Sequence, residues 1–157
     1  MDLADRLRAA LDGGPPLVVR TSGSTSEPKA VLLPGTCLLA SATATHARLG
    51  GPGTWLLALP TTHIAGVQVL VRSLVAGTTP GVLSGPFRSR PFVEAASDVL
   101  ASDGPRYTAL VPTQLTRVLS WGGSALAALR SFDAVLVGGA AVSSPSSPPP
   151  ATPVSAW

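Results

Sequence analysis

The chain has 157 residues, 45% of them hydrophobic and 12% charged, with a net charge of +3 and a mean hydropathy of +0.38. That length suits about one domain, and that apolar content excludes disorder of the whole. The positive balance is small, and its arginines are scattered without a basic stripe or interleaved aromatics, so nucleic acid is not an expected partner.

The first residues, Met1-Asp2-Leu3-Ala4-Asp5-Arg6, carry acids where a signal peptide needs bases followed by an apolar core. Leu3, Leu7 and Leu11 recur at i, i+4 and i+8, which predicts a short amphipathic helix over Asp2–Leu11. Gly13-Gly14-Pro15-Pro16 stops it and leads into an apolar strand, Leu17-Val18-Val19. A second strand, Ala30-Val31-Leu32-Leu33, follows after nine polar residues. Pro34-Gly35-Thr36 breaks the chain. A helix from about Thr36 to Leu49 comes next, with Leu38, Leu39, Ala42, His46 and Leu49 on one side. Cys37 within it is the only cysteine, so an intramolecular disulfide and a cysteine-based metal site are both excluded.

Trp55-Leu56-Leu57-Ala58-Leu59 reads as a buried strand closed by Pro60. The following apolar stretch predicts a buried helix with Thr62 as N-cap and Gly77 just past its end. Gly81-Val82-Leu83 is a short strand, Pro91–Leu100 a helix and Tyr107–Val111 a strand. Pro112 suits the first position of a helix through Ser120, because its missing N–H has no partner to lose there. Ser124–Arg130 is helical, and Ala134–Val137 is the last strand, ending at Gly138-Gly139. Strands alternating with helices predict the α/β class, a layered sheet with flanking helices. No apolar run approaches the ~20 residues needed to cross a bilayer, so no membrane partner is expected and cytoplasm is the expected compartment.

The nine residues between the first two strands are Thr21-Ser22-Gly23-Ser24-Thr25-Ser26-Glu27-Pro28-Lys29. Hydroxyls, backbone N–H groups and one ammonium are donors, and polyphosphate oxygens only accept. Lys29 is the chain's single lysine beside ten arginines, and a compact point charge suits nucleotide phosphates. The same composition also describes a solvated Ser/Thr turn. His63, at the start of the apolar helix, reads alone either as a capping residue or as a ligand contact. Arg72 is the one charge of that helix. It reads either as a fork for a carboxylate or as a side chain snorkelling to the surface.

The order of residues in the loop resembles [ST]-S-G-[ST]-T-G-x-P-K, the phosphate-binding loop of the adenylate-forming (acyl- and aryl-CoA ligase) family, with Ser26 where that family has glycine. Three further segments resemble the family in the same order. Leu59-Pro60-Thr61-Thr62-His63-Ile64-Ala65-Gly66 is similar to L-P-x-x-H-x-[AS]-G beside the acyl or aryl pocket. Leu110–Leu119 resembles the V-P-T-Q-L-x-R-L-L stretch of the o-succinylbenzoate–CoA ligase branch. Leu136–Ala141 resembles the Gly-Gly-Ala turn whose backbone lines the adenylate. The resemblance covers residues 17–142, the N-terminal part of the family's large domain.

It implies ATP, Mg2+ and coenzyme A as co-reactants. Nucleotide would be held by Thr21, Ser22, Gly23, Ser24, Thr25, Lys29, Gly138, Gly139 and Ala140. Substrate would be held by His63, Ala65, Gly66 and Arg72, with Arg72 toward the carboxylate of an aryl acid, and with Arg72 and His63 facing one cavity edged by Gly138-Gly139. The implied activity is activation of o-succinylbenzoate as an acyl-adenylate and its transfer to coenzyme A, in menaquinone biosynthesis. The alternatives are a fragment of another acyl- or aryl-CoA ligase, or a non-catalytic remnant that binds nucleotide or acid.

Residues 143–157 are rich in Ser and Pro and carry no acidic residue. Such a segment cannot bury apolar area, which predicts a domain over 1–142 and a disordered tail over 143–157. The family's Tyr-Gly-x-Ser/Thr-Glu motif, its ribose-binding aspartate and its small C-terminal domain have no counterpart in the sequence, so the expectation is that this chain alone does not adenylate. A charged fraction of 12%, where about a quarter is usual, also reads as part of something larger. The sequence is silent on oligomeric state.

Overall fold

The computed structural model describes residues 2–21 and 29–139, the side chains of Arg20, Thr21 and Lys29 excepted. The boundary expected near residue 142 and the tail beyond it lie outside the described residues.

Helix α1 (Leu3–Leu11) starts at Asp2, whose carboxylate accepts from the Asp5 N–H at 2.8 Å, satisfying one of the N–H groups that a helix start leaves unpaired. Strands β1 (Leu17–Thr21) and β2 (Lys29–Leu33) pair antiparallel from Leu17↔Leu33 to Thr21↔Lys29. Side chains alternate across this hairpin. Leu17 and Val19 turn inward onto Leu7 and Leu38, while Val18 and Leu32 stay 50% and 62% exposed.

Helix α2 (Gly35–Leu49) buries Leu38, Ala42 and His46, a strict i, i+4, i+8 stripe. Leu39, expected on that side, is 43% exposed: one residue turns the helix by about 100°, which carries it off the stripe. Strand β3 (Thr54–Leu57) is shorter than expected and gives way to α3 (Ile64–Ala76). Thr62 is not the N-cap of α3. Pro60 and Thr61 form a turn in which the His63 N–H donates to the Pro60 carbonyl at 3.3 Å, and the first helical bond runs from the Val67 N–H to the His63 carbonyl. The cap therefore falls on His63, whose side chain makes no capping bond. The other end is as expected, with Gly77 closing the helix at φ 69°, a conformation that favours glycine.

The remaining elements are β4 (Gly81–Val82), α4 (Ser89–Leu100), β5 (Arg106–Leu110), α5 (Pro112–Trp121), α6 (Gly123–Arg130) and β6 (Ala134–Val137). Helix α4 starts two residues before Pro91, which is tolerated because the first turn needs no N–H from it. Four strands form one parallel sheet in the order β4-β3-β5-β6. Side chains alternate between its faces. Trp55, Leu57, Tyr107 and Ala109 meet Val69 of α3. Leu56 and Leu110 meet Phe92, Val118 and Leu129 of the other three helices. The result is α/β: helices α4, α5 and α6, then the sheet, then α3, then a layer of α1, α2 and the hairpin packed on α3.

Candidate functional site

A cavity of about 300 Å³ lies between α3 and the carboxyl ends of β3, β5 and β6, the side on which ligands bind in parallel α/β sheets. Helix α3 contributes Ile64, Ala65, Gln68 and Arg72, which share one face because Gln68 follows Ala65 by three and Ile64 by four residues and Arg72 follows Gln68 by four. The strand ends contribute Leu59, Ala109, Leu110, Leu136 and Val137, and the turn after β6 closes the rim with Gly138 and Gly139. The walls are apolar except for Gln68 and Arg72.

Two contacts hold the segments next to the cavity. The Gln114 amide oxygen accepts from the Val111 N–H at 3.0 Å, and its NH2 donates to the Ala58 carbonyl at 2.9 Å. One side chain thus ties the end of β5 to the end of β3. Gly66 faces away from the cavity, with its Cα against the carbonyls of Pro60 and Leu59; a Cβ there would collide with backbone. That close approach keeps the preceding turn tight against the start of α3.

The Arg72 guanidinium carbon stands 5.1 Å above the Trp55 ring centroid, within cation–π range. Trp55 is fully buried, with Tyr107 at 5.1 Å and His46 at 6.5 Å between ring centroids. Arg72 is half-buried, and its Nε is enclosed without a hydrogen-bond partner among the described residues. The same holds for Gln68 Oε1, Trp55 Nε1 and His46 Nε2. Burial pulls the Arg72 pKa below its usual value. Burial, and after it the charge of Arg72, pushes His46 below the ordinary histidine value, so His46 favours its neutral form. A guanidinium held on an aromatic face at one end of an apolar cavity is suited to a carboxylate carried on an apolar body.

Of the expected substrate residues, Arg72 and Ala65 line this cavity and Gly66 is buried behind it. His63 does not line it and is exposed at the start of α3. Gly138 and Gly139 lie on the rim, and Gly139 has a φ of 89°. Thr21 and Lys29 end the two hairpin strands as a register pair. Ser22, Gly23, Ser24, Thr25 and Ala140 lie outside the described residues. Sequence reasoning passed over Gln68 and Trp55. Gln68 was open to discovery, since it precedes Arg72 by one turn in an otherwise apolar helix. Trp55 was not, because its place beneath Arg72 depends on how α3 crosses the sheet.

Residues 15–146 match the family described as AMP-binding enzyme. The probable 2-succinylbenzoate–CoA ligase of Mycobacterium tuberculosis is 46% identical over 142 residues, 85% of this chain and 35% of that protein. The 2-succinylbenzoate–CoA ligase of Escherichia coli is 38% identical over 124 residues, 78% of this chain and 24% of that protein. Among solved structures, O-succinylbenzoate coenzyme A synthetase from Bacillus subtilis in complex with AMP superposes with a TM-score of 0.64 at 27% identity, over 78% of this chain and 30% of that one. An acyl-CoA synthetase (AMP-forming)/AMP-acid ligase II-like protein from Dyadobacter fermentans gives 0.68 at 30% identity, over 89% and 38%. The chain thus spans between about a quarter and two fifths of the length of these relatives. With its matched segment running from β1 past the glycine turn after β6, the chain belongs to the AMP-binding enzyme family.

Proposed function

We propose that this chain carries part of the site of an ATP-dependent acid–thiol ligase acting on 2-succinylbenzoate. The acid and ATP would form an acyl-adenylate and pyrophosphate, and the coenzyme A thiol would then displace AMP. The observation that carries this reading is Arg72, a half-buried cation on the Trp55 face, in an apolar cavity that the Gly138-Gly139 turn borders. A dicarboxylic aryl acid has a ring for the apolar walls and leaves one carboxylate for Arg72 while the other reacts. The relatives named above as 2-succinylbenzoate–CoA ligases support this choice of acid.

The proposed division of labour follows from chemistry. Arg72 binds and orients the acid, and Ala65 gives it room. Lys29 and the hydroxyls of Ser22, Ser24 and Thr25 bind phosphate oxygens, with Thr21 and Gly23 shaping the loop. Gly138, Gly139 and Ala140 border the nucleotide, at the sheet edge where a parallel fold opens for ligands. His63 and Gly66 act through the turn before α3. Among the described residues no three His, Cys, Asp or Glu gather to hold a metal, so none is assigned to Mg2+. No described helix is long and apolar enough to cross a membrane. A cytoplasmic place in menaquinone biosynthesis belongs to this proposal.

Calorimetric titration tests the reading. The wild-type chain binds 2-succinylbenzoate, and Arg72→Gln weakens that binding at least tenfold, the loss expected when a charged hydrogen-bonding partner is removed. ATP binding is lost in Lys29→Ala. Equal affinity for the acid in wild type and Arg72→Gln would remove the carboxylate assignment, and unchanged ATP binding in Lys29→Ala would remove the phosphate loop.

A further inference from the structure

Two enclosed polar atoms on the cavity wall are of opposite kind. Arg72 Nε–H can only donate and Gln68 Oε1 can only accept, and neither has a partner among the described residues. They stand four residues apart on α3, which places their side chains on the same stripe of the helix. Both side chains line the same cavity. Buried polar groups are almost always paired in folded proteins, so two of opposite kind left unpaired on one cavity wall need a reason.

We infer that Gln68 is a positioning residue for Arg72: the two side chains do not bond in the unliganded chain, and on binding of the acid the Gln68 amide oxygen turns to accept from Arg72 Nε–H and aims the two terminal guanidinium nitrogens at the carboxylate. This rests on the carboxylate reading of Arg72 above and adds how the guanidinium is held. Trp55 supplies the other constraint, since its ring centroid lies 5.1 Å from the guanidinium carbon and limits where the head group can move. With the indole on one side and Nε taken by Gln68 in the bound state, the donors left for a ligand are those on the two terminal nitrogens. That pair is a fork matching the two oxygens of a carboxylate. The side chain at 68 must be an amide for this purpose. A glutamate would accept the same bond but cancel the charge that the ligand needs.

The test is a double-mutant cycle in calorimetric titrations of 2-succinylbenzoate, with unfolding midpoints recorded for every variant. Gln68→Leu weakens binding about tenfold in the wild-type background, the scale of one hydrogen bond to a charged group. It has no effect in the Arg72→Gln background, because a residue that acts through Arg72 has nothing left to position. Gln68→Glu, close to isosteric, also weakens binding, and it decides the matter should Gln68→Leu fail to fold. Gln68→Leu or Gln68→Glu binding as tightly as wild type overturns the inference, as does a Gln68→Leu loss that persists beside Arg72→Gln. The carboxylate reading survives those results as long as Arg72→Gln alone weakens binding at least tenfold. A wild-type chain that binds no 2-succinylbenzoate overturns both.

Discussion

His46 shows how one buried side chain ties stability to pH. Its ring sits under α2 beside Trp55, and both burial and the Arg72 charge disfavour its protonated form. The folded chain therefore holds His46 below the ordinary value of 6.5, whereas the unfolded chain titrates near it. Above that value both states are neutral and the stability is fully present. As pH falls through it, the unfolded state takes up a proton that the folded state resists, and stability declines until the folded state titrates too. Urea midpoints measured from about pH 7.5 down to about pH 5 should fall for wild type, with a slope of at most about 1.4 kcal/mol per pH unit for one proton. His46→Gln should flatten that part of the curve. An unchanged slope in His46→Gln would show that another group titrates there. No reading of residue 46 by itself could supply this, since an i+8 position on an apolar stripe says that a histidine is buried but not that a guanidinium lies nearby.

At the scale of elements, Gln114 is the clearest case of a motif residue with a structural task. It belongs to a stretch matched by family pattern, yet the structure uses it to tie the end of β5 to the end of β3. Gln114→Leu leaves the Val111 N–H and the carbonyl of buried Ala58 without that partner. A loss of about 1–3 kcal/mol is expected, read as a lower urea midpoint at unchanged m. A midpoint equal to wild type would mean that water replaces the amide fully. Helix starts teach the related lesson. The apolar stretch after Pro60 was legible as a helix, with Gly77 at its end, but its first residue was not. The turn held by Pro60 and His63 moved the cap one residue beyond Thr62. That shift leaves His63 outside the helix while Arg72, nine residues on, reaches the cavity.

At the scale of the molecule, the apolar surface is unevenly covered. Val18 and Leu32 face each other across the hairpin on its outer side, at 50% and 62% exposure. Strand β6 lies at a sheet edge among the described residues, and its four residues are only half-buried. Edges and patches of this kind favour self-association. Val18→Thr with Leu32→Thr keeps the strand propensity of the pair and lowers its hydrophobicity. The double variant should show less light scattering than wild type at equal concentration, with the same far-ultraviolet circular dichroism. Equal scattering would place the contact elsewhere.

What the sequence by itself determined is whatever depends on near neighbours along the chain. Apolar spacing, glycine and proline set the order of helices and strands, and a run of hydroxyls before a lone lysine marked a loop. Arg72 stood out as the one charge in its helix for the same reason. The tertiary structure alone decided the strand order β4-β3-β5-β6, because every apolar strand fits a parallel sheet equally well in any place. It also decided which face of β3 carries Trp55 toward α3, and therefore what lies beneath the Arg72 guanidinium. Those outcomes depend on how a helix is rotated and where it crosses a sheet. A one-residue shift turns a helix by about 100°, and no local pattern registers that rotation.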